Sequence, residues 1–302
     1  MGGDTWRIQS EHPSTPQEAF QSTGNRVFPP QDVEKMRKQC VPPIAKGKLF
    51  SKAEKGKDAL IDIRFEQTQN GDMFIWDFPD SQINKSANQQ ITKISNRYIV
   101  IVDIGGTSKG ADYSVITVLD RYLLTKGGVP KTVARTRYHL EQNTMAWDAV
   151  KIAVYYNNAL LVIENNSLKK NKNEAENHFT TVLNEIEDYY DNLYTYEDLT
   201  KVKEGIPIKW GFHTNSATKP MVISTLRDAL ANDGFIDYDV RLFHECDTYE
   251  IDANGAYNAV DGEHDDIIMS TAIGLYVSSK TDAPRTIEKT ANRARAKVGL
   301  SI

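Results

Sequence analysis

The chain places carboxylates where buried structure is expected. Tyr98-Ile99-Val100-Ile101-Val102-Asp103-Ile104-Gly105-Gly106-Thr107 is a run of mostly β-branched apolar residues ending in an aspartate and two glycines. Such a run reads as a strand buried on both faces, not as an amphipathic helix. Leu160-Leu161-Val162-Ile163-Glu164 repeats the pattern with a glutamate, followed by Asn165-Asn166. Gly262-Glu263-His264-Asp265-Asp266 then leads into an apolar-rich segment. A carboxylate at the end of a buried element is costly unless it has a partner. Three or four brought together repel one another unless cations sit between them. Oxygen-only ligands select Mg²⁺ or Mn²⁺. Two such ions about 4 Å apart are a recurring arrangement for in-line phosphodiester hydrolysis, one activating water and the other stabilising the leaving oxygen. Simpler readings stand beside this one: Asp103 as the cap of a turn, and Asp265 as a helix N-cap.

Bringing these positions together requires a sheet. A second strand, Asp112–Asp120, follows the first and is expected to pair with it antiparallel, and Lys131–His139 supplies a third. The strand ending at Glu164 is expected to run parallel to the one ending at Asp103. With three antiparallel strands and then two parallel ones, the first and fourth are neighbours, so Asp103 and Glu164 would lie side by side. Helices are expected over about 31–40, 144–156, 174–190, 216–232 and 265–279, the last crossing the two acidic strand ends. A short strand is expected over 208–212, an exposed insertion over 191–206, and short strands and turns over 236–260. Upstream, Leu60–Gln67 and Met73–Phe78 read as a β-hairpin with Asn70-Gly71 as its turn.

Composition narrows the class. The 302 residues are 40% hydrophobic and 25% charged, an ordinary core. Two isolated cysteines, Cys40 and Cys246, argue against a disulfide scaffold or structural zinc and fit a reducing cytosol. No apolar run approaches the roughly 18 residues of a membrane span, and no membrane partner is expected. The net charge of −5 excludes a uniformly basic nucleic-acid binder, while clustered carboxylates would mask a local basic patch.

The acidic blocks also carry a resemblance. Val102-Asp103-Ile104-Gly105-Gly106 with Gly110-Ala111-Asp112-Tyr113-Ser114-Val115, then Val162-Ile163-Glu164-Asn165-Asn166-Ser167, then Gly262–Ser270, occur in the order seen in one family. The chain resembles the C-terminal nuclease domain of the large terminase subunit of tailed phages. Pro13-Ser14-Thr15-Pro16-Gln17-Glu18-Ala19-Phe20 looks like the segment that follows the ATPase domain in these proteins. The resemblance implies an α/β RNase H-like fold, a mixed five-stranded sheet flanked by helices. It divides the chain into an irregular N-terminal segment (1–57), a β-hairpin and linker (58–96) and the nuclease domain (97–302). It implies Asp103, Glu164 and Asp266 as catalytic metal ligands, with Asp265 as an auxiliary ligand, and two Mg²⁺ or Mn²⁺ ions. The substrate would be concatemeric double-stranded viral DNA, cut during genome packaging in the host cell cytoplasm. The portal protein and small terminase subunit would be partners. No GxxxxGK[ST] loop occurs, so the packaging ATPase is expected to be absent.

Other residues are weaker candidates. Lys169, Lys170 and Lys172 follow Glu164 and suit phosphate contacts or a solvated loop. Lys219, between Thr218 and Pro220, resembles a recurring Thr/Lys feature of the family and is a candidate DNA contact. Asp112 is a candidate support for the metal site or a plain turn residue. His264 reads as a ligand, a proton shuttle or a helix-start neighbour, and His213 as structural. The tail with Arg293, Arg295 and Lys297 reads as a disordered basic segment or a partner contact. Two other functions compete. Asp103-Ile104-Gly105-Gly106-Thr107 also looks like the phosphate loop of actin-like-superfamily sugar kinases. A catalytically inactive RNase H-like module for DNA or portal docking is the third class.

Overall fold

The computed structural model describes residues 25–80, 94–106, 112–166, 172–197 and 208–286. In chain order the elements begin with α1 (Pro30–Arg37), β1 (Ala45–Phe50), β2 (Arg64–Gln67), β3 (Met73–Ile75) and β4 (Ile94–Ser95). The central run is β5 (Tyr98–Asp103), β6 (Ser114–Asp120), β7 (Lys131–Tyr138), α2 (Gln142–Tyr155), β8 (Leu160–Asn166) and α3 (Lys172–Ile186). There follow β9 (Thr195–Glu197), β10 (Ile208–Trp210), β11 (Phe212–Thr214), α4 (Thr218–Ala231) and α5 (Val240–Asp247). The last are β12 (Tyr249–Ile251), β13 (Tyr257–Ala259), α6 (Asp266–Lys280) and β14 (Arg285–Thr286).

Every residue of β5 and β6 is buried, as their unbroken apolar runs demand. β5 pairs antiparallel with β6, and β6 with β7. β8 runs parallel to β5, and β11 parallel to β8. These five strands, in the order β11-β8-β5-β6-β7, are the expected RNase H-like core. The sheet does not stop at five, however. It continues through β3 and β1 to β2, giving eight strands. The N-terminal hairpin expectation is corrected here. β2 and β3 do not pair with each other, because β1 lies between them, with Gly47 opposite both Gln67 and Met73. β1 escapes a sequence reading because Ala45-Lys46-Gly47-Lys48 alternates small and charged residues with little apolar signal. Residues 25–57 are therefore not wholly irregular, and β3 joins them to the main sheet through β7.

Alternation along the strands sends side chains to two cores. Tyr98, Val100 and Val102 join Leu161 and Ile163 under α2 and α3. Ile99 and Ile101 join Val162, Phe212 and the apolar sides of α4, α5 and α6. Two further corrections concern the second half. The 236–260 stretch contains a helix, α5, started by Asp239, whose carboxylate accepts the Arg241 N–H at 3.1 Å. The 208–212 strand is two strands in different sheets, broken at Gly211 with φ of 75°. A Cβ there would come within 2.5 Å of the Ile163 carbonyl oxygen. The expected Asn254-Gly255 turn links β12 and β13, which pair antiparallel.

Helix α6 is fixed at both ends. At its start, Glu245 Oε2 accepts the N–H groups of Ile267 and Ile268 at 2.9 and 3.0 Å. At its end, the buried Arg121 guanidinium donates to the carbonyls of Ser278 and Thr281 at 2.9 and 2.8 Å. The carboxyl satisfies amides that a helix start leaves open, and the positive group at the C-terminus favours the helix dipole. Between them, the fully buried Arg135 of β7 donates to Asp237, Asp239, Thr117 and Thr271. Burial pushes Asp239 up, but Arg135 and Arg241 outweigh it and hold its pKa at about 2. Among the described residues, no helix is long and apolar enough to cross a membrane.

Replacing Arg135 with Met leaves buried Asp237 without its cation and Asp239 with Arg241 alone, so it should cost about 3–5 kcal/mol in stability. Urea denaturation of the variant checks this. A loss below about 1 kcal/mol would contradict the reading of Arg135 as the tie between β7, the Asp237–Asp239 loop and α6.

Candidate metal centre

Register and alternation bring the acidic residues together. Val102 lies opposite Ile163 across the parallel β5–β8 pair, so Asp103 and Glu164 are the next residues along neighbouring strands. Asp103 continues the Ile99–Ile101 series and Glu164 the Leu160–Val162 series. Both therefore point to the face covered by α6, whose first residue is Asp266. Asp103, Glu164, Asp265 and Asp266 line one cleft of about 50 Å³, together with Asp112, Thr214 and Lys219. Gly105 lets the loop after β5 lie against the Asp112-Tyr113 backbone that leads into β6. A Cβ there would fall 2.3 Å from the Asp112 carbonyl oxygen.

The cleft is electrostatically unsatisfied. Glu164 is 2% exposed, and its carboxylate accepts from no N–H or hydroxyl donor; its neighbour is the Asp103 carboxyl, which hydrogen-bonds it when protonated. Burial pushes Asp103 well above the ordinary carboxyl range, with the charges of Glu164, Asp266 and Asp265 adding to the effect. Burial likewise pushes Asp266 up to about 7, helped by Asp112 and Asp265 and opposed by the Tyr113 N–H and Arg137. Buried, mutually repelling carboxylates with unused oxygens are what a divalent cation would neutralise. Among the described residues, no three His, Cys, Asp or Glu side chains already converge as a ligand shell. The donor set, all carboxylate oxygen, suits a hard divalent cation in its chemistry.

Three neighbours of the cleft have no obvious mark in the sequence. Arg137 Nη2 stands 3.5 Å from Glu245 Oε1 and 3.8 Å from Asp266 Oδ2. Its guanidinium lies 4.0 Å from the centre of the Tyr113 ring, and the Tyr113 N–H donates to Asp266 Oδ2 at 3.2 Å. Burial pushes Glu245 up to about 8, against the pull of Arg137. The available signal is parity: Arg135 and Arg137 share one face of a buried strand, and buried guanidinium groups need carboxylates.

The weaker candidates separate. Asp112 and Lys219 line the cleft. His264 Nδ1 is 3.8 Å from Asp266 Oδ2, and its ring meets Tyr113 edge-on at 5.0 Å. The His213 carbonyl accepts the Thr218 hydroxyl at 2.8 Å. Lys169, Lys170, Arg293, Arg295, Lys297 and the Pro13–Phe20 segment lie outside the described residues. The glycine loop is not arranged as a phosphate cradle at its described amides. Gly105 N–H donates to Ser114 Oγ at 3.1 Å and Gly106 N–H to the Asp112 carbonyl at 2.9 Å.

Strand order and flanking helices define an RNase H-like α/β fold. Solved structures similar to this chain include terminase nuclease domains. One is the large terminase nuclease of thermophilic phage G20c with bound magnesium, 16% identical, covering 84% of this chain and 98% of that one at a TM-score of 0.48. Another is the large terminase nuclease domain of Thermus phage P74-26, 18% identical, covering 68% and 85% at 0.40. A third is the manganese-soaked, inhibitor-bound human cytomegalovirus terminase nuclease domain, 10% identical, covering 64% and 88% at 0.38. No family model and no curated protein matches the sequence.

The raised carboxyls set a pH dependence. A carboxyl with a folded pKa above its unfolded value of about 4 binds its proton more tightly in the folded state, so its stabilising effect is lost as pH rises through the folded pKa. For Asp266 at about 7 and Glu245 at about 8, the metal-free protein should melt higher at pH 6 than at pH 8. Circular dichroism melts in EDTA test this, and an equal or higher melting temperature at pH 8 would contradict it.

Proposed function

We propose that this chain is the metal-dependent DNA endonuclease domain of a phage large terminase subunit, acting on concatemeric double-stranded DNA during genome packaging. The observation that carries the chemistry is the convergence of Asp103, Glu164, Asp265 and Asp266 on one cleft, with Glu164 buried beside Asp103 and neutralised by no cation or N–H donor. The ordered acidic blocks of the sequence carry the choice of substrate and biological setting. Asp103, Glu164 and Asp266 would hold two Mg²⁺ or Mn²⁺ ions, with Asp265 assisting. Such ions, when bound, supply an activated water and neutralise charge on the leaving oxygen.

The chain's own groups do the positioning. β5 and β8 present their carboxylates at a spacing set by backbone pairing. Tyr113 and Arg137 engage one oxygen of Asp266, which leaves its other oxygen for a ligand. Glu245 holds the first turn of α6, and so the approach of Asp266 to the strand ends. Among the described residues no base-reading element is evident, so cutting by this chain alone should be independent of sequence. Contacts with the portal and small subunit belong to the same proposal.

Cleavage of supercoiled plasmid tests the reading. Nicking and linearisation should appear with Mn²⁺ or Mg²⁺, vanish in EDTA, and fall to background in Asp103→Asn, Glu164→Gln and Asp266→Asn. Asp103→Asn should melt no lower than the parent in EDTA, since it removes a repelling charge. Glu245→Ala and Arg137→Ala should lower activity by about 10–100-fold, as for groups that orient ligands. Full cleavage by Asp103→Asn would refute the assignment. Binding of DNA without cleavage in either metal would favour the docking module instead.

A further inference from the structure

The first turn of α6 is held in an unusual way. Asp265 occupies the N-cap position, yet its side chain caps no helix N–H. That work is done from outside by Glu245, which accepts the amides of Ile267 and Ile268. Asp265 is thereby released from its structural role, and its Oδ2 accepts instead from the Lys219 ammonium at 3.3 Å. Lys219 is not a freely moving surface lysine. Its side chain is 14% exposed and lines the same cleft as the other carboxylates. Its backbone sits in the first turn of α4, where Asn215 Oδ1 accepts the N–H groups of Ala217 and Thr218 at 2.8 and 3.0 Å. Thr218 closes that turn by donating to the His213 carbonyl at 2.8 Å.

We propose that Lys219 is a tethered counter-cation: its ammonium competes with a divalent ion for Asp265 and so sets how tightly the cleft loads its metal. The inference rests on the metal-dependent reading above and deepens it. An ammonium and a divalent ion bound to the same carboxylate repel each other at close range. Loading an ion on Asp265 therefore requires the Lys219 ammonium to give up that oxygen or tolerate the new charge. Once displaced, the ammonium is placed to meet an incoming phosphodiester. Metal loading and nucleic-acid binding are then coupled in the same direction. In this arrangement Lys219 is a positioning residue acting through Asp265, and its first partner is a carboxylate, not DNA.

The test is titration of the full chain with Mn²⁺ alone, followed by electron paramagnetic resonance of the free ion. Lys219→Met should bind Mn²⁺ about fivefold more tightly than the parent, the size of a partly exposed ion pair. Lys219→Arg, which keeps the cation, should stay near the parent. Asp103→Asn should lose the site. Unchanged or weaker Mn²⁺ binding in Lys219→Met, with binding that still depends on Asp103, would overturn this inference alone. A parent chain showing no Asp103-dependent Mn²⁺ binding would overturn it together with the nuclease reading. A merely structural lysine would lower the melting temperature on removal without tightening the ion.

Discussion

The parallel pairing of β5 with β8 is the constraint on which the site depends. Side chains alternate strictly along a strand, so a one-residue slip would send Glu164 to the opposite face from Asp103. The register is held by what lies behind it. Val100 and Val102 pack under α2 and α3 with Leu161 and Ile163, while Ile101 and Val162 pack under α6. Each apolar residue of the two strands thus has a place on only one side. The position of two carboxylates is decided by the packing of their uncharged neighbours. Helix α6 adds the third by lying across the strand ends, fixed by Glu245 at one end and Arg121 at the other.

The same arrangement divides charge into two kinds. Around Arg135, buried charges are matched, and Asp239 is held low in pKa. In the cleft, carboxylates outnumber their partners, and Asp103 and Asp266 are driven upward. The first network binds elements together, whereas the second works against the fold in the absence of cations. Both lie on one face of one sheet, a few residues apart along β7, where Arg135 serves the first and Arg137 the second. A marginally stable protein carries a cluster such as the second only where the rest of the face is firmly tied.

Much of this was legible in the amino-acid sequence, for a physical reason. β5, β6 and β8 are buried on both faces, so their composition is extreme, and a terminal Asp or Glu stands out against it. The α6 carboxylates were equally visible at the head of an apolar helix. Arg137 and Glu245 were not, because their roles depend on α5, and the 236–260 stretch interleaves apolar and charged residues in a way that resembles short strands. β1 was lost for want of apolar side chains, and the true neighbours of β2 and β3 were lost with it. Lys219 was visible as a cation near a helix start, but its partner lies on a different element and could only be found in three dimensions.

The dependence of the cleft on α6 has a consequence for how the protein comes into being. The three acidic elements are distant in the chain, and contacts of that kind close late in folding. A growing polypeptide can complete β5 and β8 and still lack Asp266, because α6 is made after all the strands of the main sheet. Until α6 emerges and docks, the sheet carries two of the carboxylates and no third. Synthesis order thereby keeps the acidic cleft incomplete until nearly the whole described structure has been made.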